Sequence, residues 1–391
     1  MKRRLNIEHI LILSLFFMFL CASVSYGAFL LMQRGYTSSQ AGIILSCGSI
    51  FSLLIQPVVA NYIDANREKV TVLKAAIFTS SVALIAAIVS YFQRSRSILT
   101  IISFMMTSGC ISCLEPLINS ISYDFKENGY EVSFGIGRAS GSLAYAGMST
   151  LCGIISVRYE YPALLLTIAV IALLFLLTVI KTNHDFESIK TVSSHAEKEE
   201  TISYKEFFKR HRIFLFMSIA LVGVYFGYLM IDDMMILVVE DIGGTSNDLG
   251  RMLAMKALLE VPTIFFYDKI EEKINVKILL KISVICFALK MLATYLCRSL
   301  TMMYVTQLLQ LISFALILPS GVSYIHQIMD KKEAIRGQSM FVMATSLGSV
   351  LSGAIGGSIS QYYSVKTMLM LGTIVAAISA IAFCVLLDRN R

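Results

Sequence analysis

The sequence is short of charge. Of its 391 residues, 15% are Asp, Glu, Lys or Arg, where soluble domains carry about a quarter. That shortage excludes an ordinary water-soluble domain. Histidine is scarce too, with five residues that fall at the ends of apolar stretches or between them. Cys110 and Cys113 form a single CxxC with no second pair and no histidine nearby, so no metal or redox centre is expected. All eight cysteines lie within apolar stretches, which argues against a disulfide framework and for packing thiols. No GxxxxGK[ST] run is present, so nucleotide-driven work would need another subunit. No nucleophile–base pair can be assembled either, and neither an enzyme nor a cofactor is expected.

What is abundant is apolar surface: 56% of residues are hydrophobic and the mean hydropathy is +0.73. About 20 apolar residues cross the hydrocarbon core as a helix. Twelve such stretches occur, at 10–32, 41–63, 70–92, 98–123, 134–157, 161–180, 213–239, 249–266, 278–297, 302–328, 340–362 and 367–387. They are called spans one to twelve below. Lys2, Arg3 and Arg4 precede the first, which is too long for a signal-peptide core and has no small-residue cleavage site before Gln33 and Arg34. The chain therefore reads as an all-α, multi-pass membrane protein.

Basic residues orient it. With the N-terminus inside, the cytoplasmic segments hold 23 Lys and Arg and the outer segments seven, with Arg138, Lys256 and Lys290 inside spans. Both termini are thus expected in the cytoplasm, at the cell membrane. The net charge of +7 follows from this bias and needs no nucleic-acid partner.

The longest polar segment, 181–212, divides the spans six and six, giving an N-terminal bundle (1–180), a linker and a C-terminal bundle (213–391). After span two the chain reads DANREKVTV from Asp64, and after span eight DKIEEKINV from Asp268. Both fit D-x-x-x-E-K-[VI]-x-V at equivalent places. Two parallel six-helix repeats with a solute site at the midplane is one of the transporter architectures.

FSLLIQP at 51–57, followed by Asp64, resembles the second helix and loop of the lactose permease group of major facilitator transporters. The resemblance implies a cytoplasmic gate motif at Asp64 and Lys69, repeated at Asp268 and Lys273. Ala60 and Arg67 stand where that motif usually has glycines.

Span five carries FG-x-x-R-x-x-G, with Phe134, Gly135, Arg138 and Gly141. It is similar to the sugar-binding helix of the same group. Arg138 near the bilayer centre costs about 2.5–3.5 kcal/mol even on lenient scales, so a cavity or snorkelling role must repay it. Arg138, Gly141, Ser142 and Tyr145 share one helix face. A planar fork of donors there suits hydroxyl pairs or a carboxylate. The resemblance gives Arg138 to solute hydroxyls and Tyr145 to ring stacking, in place of a tryptophan the chain lacks altogether.

Span four places Glu115 and Asn119 on one face. Asn119 stands where the resemblance expects the arginine's glutamate, and Glu115, one turn away, is the substitute. In the second half, Lys256 and Glu260 are four apart, Asp232 lies on span seven and Lys290 on span nine. Glu260 aligns with a sugar-contacting asparagine, and Lys290 with a basic residue near the proton site. The group's coupling histidine and glutamate correspond to Gln310 and Ser313. Proton coupling is therefore assigned to Glu260 with Lys256, Asp232 and Lys290, and solute binding to Arg138, Tyr145, Glu115, Asn119 and Glu260. The expected function is proton-coupled import of a small polar solute, a saccharide or glycoside, by a functional monomer in the lipid bilayer. Efflux by proton antiport and a non-transporting sensor are the alternatives.

Overall fold

The computed structural model describes residues 2–66, 70–93, 95–130, 132–188 and 204–390. Among them every regular element is a helix. Ten helical runs are long and apolar enough to cross a bilayer. Spans eight and nine form the helices Ser246–Phe265 and Val276–Leu296, of 20 and 21 residues. These two carry Lys256, Glu260 and Lys290, and at 1.5 Å per residue each is about 30 Å long, the thickness of the hydrocarbon core. All twelve expected spans are helical.

Helix starts are capped where the sequence offers a short polar side chain. Thr37 Oγ1 accepts from the Gln40 amide at 3.3 Å, and Gln40 Oε1 accepts from the Thr37 amide at 3.1 Å. Thr71, Ser97, Ser299 and Ser364 likewise accept from the amide three residues on. Each such cap contributes about 1 kcal/mol.

The chain forms two compact units. One comprises residues 1–195 and 245–257, the other 196–244 and 258–391. In the first unit, His9, Leu13 and Phe17 recur every four residues along span one and seat against Gly137 and Gly141 of span five. A Cβ at Gly137 would lie 2.6 Å from Leu13, and one at Gly141 2.4 Å from the Phe17 ring. Small residues at this spacing let helices approach closely.

The second unit is built around Tyr225, Val284, Phe287, Tyr324 and Phe383, all buried. Gly227 meets the Gly372 carbonyl so closely that a Cβ would lie 2.7 Å from it. Gly348 of span eleven packs on Tyr225 and Phe226 in the same way, so close packing accounts for that glycine.

The two units repeat one ion pair. Lys74 near the start of span three bonds Glu187, the last residue of the helix Glu160–Glu187 that carries span six, at 2.6 Å. Lys281 near the start of span nine bonds Asp388 at the end of span twelve, at 2.5 Å. Both pairs are solvent-exposed and contribute little energy. Their value is as a trace of duplication beyond the nine-residue motif.

Several spans are interrupted. Span one loosens into a π-helical turn at Cys21–Ser25, and span eleven does so at Ser352–Gly356. Span ten runs as Leu300–Gln307, a 3₁₀ turn at Leu308–Leu311, then Phe314–Ile328. A broken helix leaves carbonyls unpaired, and without water each must find another donor. Here Thr263 Oγ1 donates to the Leu311 carbonyl at 2.8 Å, and Ser283 Oγ adds a 2.7 Å bond to the Ser313 carbonyl, which also accepts from the Ile317 amide.

Of the expected gate residues, the Asp64 side chain and Lys69 lie outside the described residues. Asp268 and Lys273 are exposed, and their side chains make no hydrogen bond or ion pair among the described residues.

Candidate functional site

Each unit holds a polar cluster inside its spans. In the first unit Arg138 projects from the helix Phe134–Arg158. Its Nη1 donates to Ser142 Oγ at 2.8 Å, one turn further on. Its Cζ lies 4.4 Å from the centroid of the Phe17 ring. Among the described residues Nε and Nη2 have no partner, and the side chain is half-buried. The fork therefore keeps free donors.

One turn beyond Ser142, Tyr145 shares a 2.7 Å hydrogen bond with Ser25. Ser25 sits on the π turn of span one, so the irregularity of that helix delivers the hydroxyl. The face expected from spacing is thus real: Arg138, Ser142 and Tyr145 form one continuous polar stripe.

Glu115 lies in the middle of the helix Ile98–Glu127, and its side chain is exposed rather than packed against other protein side chains. Pro116 follows it. A proline has no N–H, so the Ser112 carbonyl loses its helical donor. Gln56 Nε2 supplies the replacement at 2.9 Å. Asn119 is half-buried one turn along. No hydrogen bond or ion pair joins Glu115 or Asn119 to Arg138 among the described residues, so the expected carboxylate acts on the arginine through space only. Lys256 is buried and belongs to this unit.

The second unit holds a tighter network. Lys290 is 1% exposed and donates to Gln310 Oε1 at 2.5 Å. Gln310 Nε2 donates to Glu260 Oε1 at 2.7 Å and to Tyr228 Oη at 3.1 Å. An ammonium has only donors, so the amide must turn its oxygen to Lys290 and its NH₂ to the carboxylate. Tyr228 lies under Lys290, with Nζ 5.3 Å from its ring centroid, and stacks on Phe314 at 5.6 Å. Span ten's 3₁₀ turn carries Gln310, so the helix break and the network occupy one place.

Sequence reasoning named Glu260 and Lys290 but left Gln310, which joins them, without a role. Tyr228 and Phe17 were also missed, because both look like ordinary aromatics in apolar runs. Asp232 is half-buried, and its neighbour Asp233 accepts from Ser352 Oγ at 2.7 Å, beside the π turn of span eleven. No group of three or more His, Cys, Asp or Glu that could hold a metal occurs among the described residues.

Known proteins give a context for this geometry. A protein of Deinococcus radiodurans named "Putative sugar efflux transporter" is 25% identical over 154 residues. That match spans 39% of this chain and 39% of the relative's length. The crystal structure of a point mutant of the nucleoside transporter NupG superposes with a TM-score of 0.83 at 12% identity, covering 98% of this chain and 99% of that one. A bacterial homologue of the human lysosomal transporter Spinster, inward-facing and unoccupied, gives 0.74 at 12% identity, with coverage of 100% and 97%. At these identities the structures establish a shared fold. The model of the MFS_1 like family matches residues 9–371, nearly the whole chain. The chain belongs to that family and has the major facilitator fold.

Proposed function

We propose that this membrane transporter moves a small polar solute of the saccharide or glycoside class by proton coupling. Arg138, Tyr145, Glu115 and Asn119 bind the solute in the first unit. Glu260, buffered by Gln310 and Lys290 in the second, carries the proton. One observation carries the reading: beyond its bond to Ser142, Arg138 keeps Nε and Nη2 as donors without a partner among the described residues, and Glu115 is an exposed acceptor in the same unit. Free donors and acceptors in an otherwise apolar bundle fit hydroxyl-rich solutes. Amphipathic cations fit poorly, because the arginine repels them.

A panel of sugars, nucleosides and organic acids, scored for thermal stabilisation of the detergent-purified protein, tests the class. A saccharide or glycoside is expected to raise the unfolding temperature. Stabilisation by nucleosides or organic acids alone contradicts the assignment.

Import is the primary reading. Efflux by antiport is the second, favoured by the name of the Deinococcus radiodurans relative. Cells expressing the chain gain a stabilising sugar under import and are depleted of it under export.

The 23-to-7 bias in basic residues supports cytoplasmic termini. Reporter fusions at Arg391 and within 181–212 are expected inside and one at Arg94 outside. Opposite locations for the first two overturn the twelve-span topology.

A further inference from the structure

We infer that Phe17 is the positioning residue of the solute site: its ring is the platform that holds the Arg138 guanidinium flat, with one edge free. This deepens the solute reading above and rests on it. Three observations meet at this ring. The guanidinium carbon lies 4.4 Å from the Phe17 centroid, within cation–π range. Ser142 takes Nη1 from the side, which fixes the rotation of the plane. Gly141, on the same face as Arg138, leaves the space in which the ring sits; a Cβ there would come within 2.4 Å of Phe17 Cδ2.

The ring is itself held. Phe17 is 7% exposed and meets Phe16 edge to face at 5.3 Å, while Phe16 packs on Phe175 at 6.2 Å. A locked aromatic under an arginine replaces the ion pair that would otherwise pin it. The consequence is specific. A carboxylate partner would occupy the donor fork and cancel the charge, whereas a ring occupies one flat face and leaves Nε and Nη2 for the solute. Gly141 and Phe17 then form a matched pair from two helices, with the glycine in span five making room for the aromatic of span one.

Phenylglyoxal tests this without any solute. The reagent adds to the neutral guanidine, and a stacked ring favours the charged form. Modification at Arg138 is followed by peptide mass spectrometry in the full-length purified protein, with exposed Arg298 as the internal reference. Phe17→Leu is expected to speed modification of Arg138 at least about threefold relative to Arg298, because the apolar volume stays but the π face is lost. Phe17→Tyr is expected to match wild type, since the face is kept. Gly141→Ala, which pushes the ring from its seat, is expected to behave like Phe17→Leu.

Equal rates in wild type, Phe17→Leu and Gly141→Ala overturn the inference. So do equally raised rates in Phe17→Leu and Phe17→Tyr, which make the ring a packing element alone. Should Phe17→Leu not purify, Phe17→Met takes its place with the same two outcomes. Because no solute is present, failure of the saccharide assignment leaves this result readable, and failure here leaves the panel experiment readable.

Discussion

Gln310 links Lys290 to Glu260, accepting from the ammonium at 2.5 Å and donating to the carboxylate at 2.7 Å. A direct buried ion pair gains Coulomb energy at the cost of stripping water from both charges. The bridging amide gives each charge a neutral hydrogen-bond partner. The carboxylate can then gain a proton while Lys290 still has a partner. That is a property a coupling site needs, and it arises from a residue that does not titrate.

The broken span ten makes this possible and can be tested alone. Thr263 donates to the Leu311 carbonyl, for which no backbone donor is found among the described residues, and Ser283 adds a bond to the Ser313 carbonyl, which also accepts from the Ile317 amide at 3.1 Å. Thr263→Val leaves the Leu311 carbonyl unsatisfied, at a cost of about 1–3 kcal/mol, whereas Ser283→Ala removes one bond from a carbonyl that keeps its backbone donor and costs less, about 1 kcal/mol. Thermal unfolding of the purified variants is expected at lower temperature than wild type, with the double variant lowest. Wild-type stability in Thr263→Val would mean that the Leu311 carbonyl finds another donor.

A pH effect is expected at Glu333, near the start of span eleven. Arg210 Nη1 and His211 Nε2 bond its two oxygens at 2.7 and 2.9 Å. Burial pushes this carboxyl up, but the hydrogen bonds from His211 and Arg210 outweigh it and hold it below the ordinary range. A carboxyl lowered on folding stabilises above its unfolded value, about 4.3, and that stability is lost as pH falls through the lower folded value. The gap in unfolding temperature between wild type and Glu333→Gln is expected to be full near neutral pH and to close in strong acid. A gap independent of pH contradicts the assignment.

Arg138 offers a test of geometry against charge. Arg138→Lys keeps the charge and loses the planar fork. Uptake of a solute identified by the panel is expected to fall at least about tenfold, the equivalent of 1.4 kcal/mol, while insertion and purification stay normal. Tyr145→Phe is expected to retain more activity than Tyr145→Ala, because stacking needs the ring and not the hydroxyl. Wild-type uptake by Arg138→Lys would return the residue to a snorkelling role.

How far the sequence reaches is uneven. The spans were legible because about 20 apolar residues have few other uses. The stripe of Arg138, Ser142 and Tyr145 was legible because one helix period places it. Gln310 was not, since its partners come from spans seven, eight and nine and no local rule brings them together. Nor was the helix break legible: LLQLISF at 308–314 contains neither glycine nor proline. The carbonyl it opens at Leu311 is served by Thr263 from another helix, and tertiary donors leave no mark on the segment they serve. Phe17 is hidden for a different reason. In LFFMFL, nothing distinguishes the ring under the arginine from its neighbours.

The central claim is that Glu260 carries the coupled proton. Each proton descending 100 mV releases about 2.3 kcal/mol, enough for roughly a fiftyfold gradient of a neutral solute. Glu260→Gln fixes the site in a neutral form. Exchange of solute across the membrane never requires the empty carrier to release its proton, whereas uphill accumulation does. The measurement is solute uptake into proteoliposomes under an imposed potential and pH gradient, set beside exchange from preloaded vesicles. Wild type is expected to accumulate solute and to exchange it. Glu260→Gln is expected to exchange at a near wild-type rate and to accumulate nothing beyond equilibrium. Accumulation by Glu260→Gln against the gradient would contradict the account and move the coupling carboxylate to Glu115.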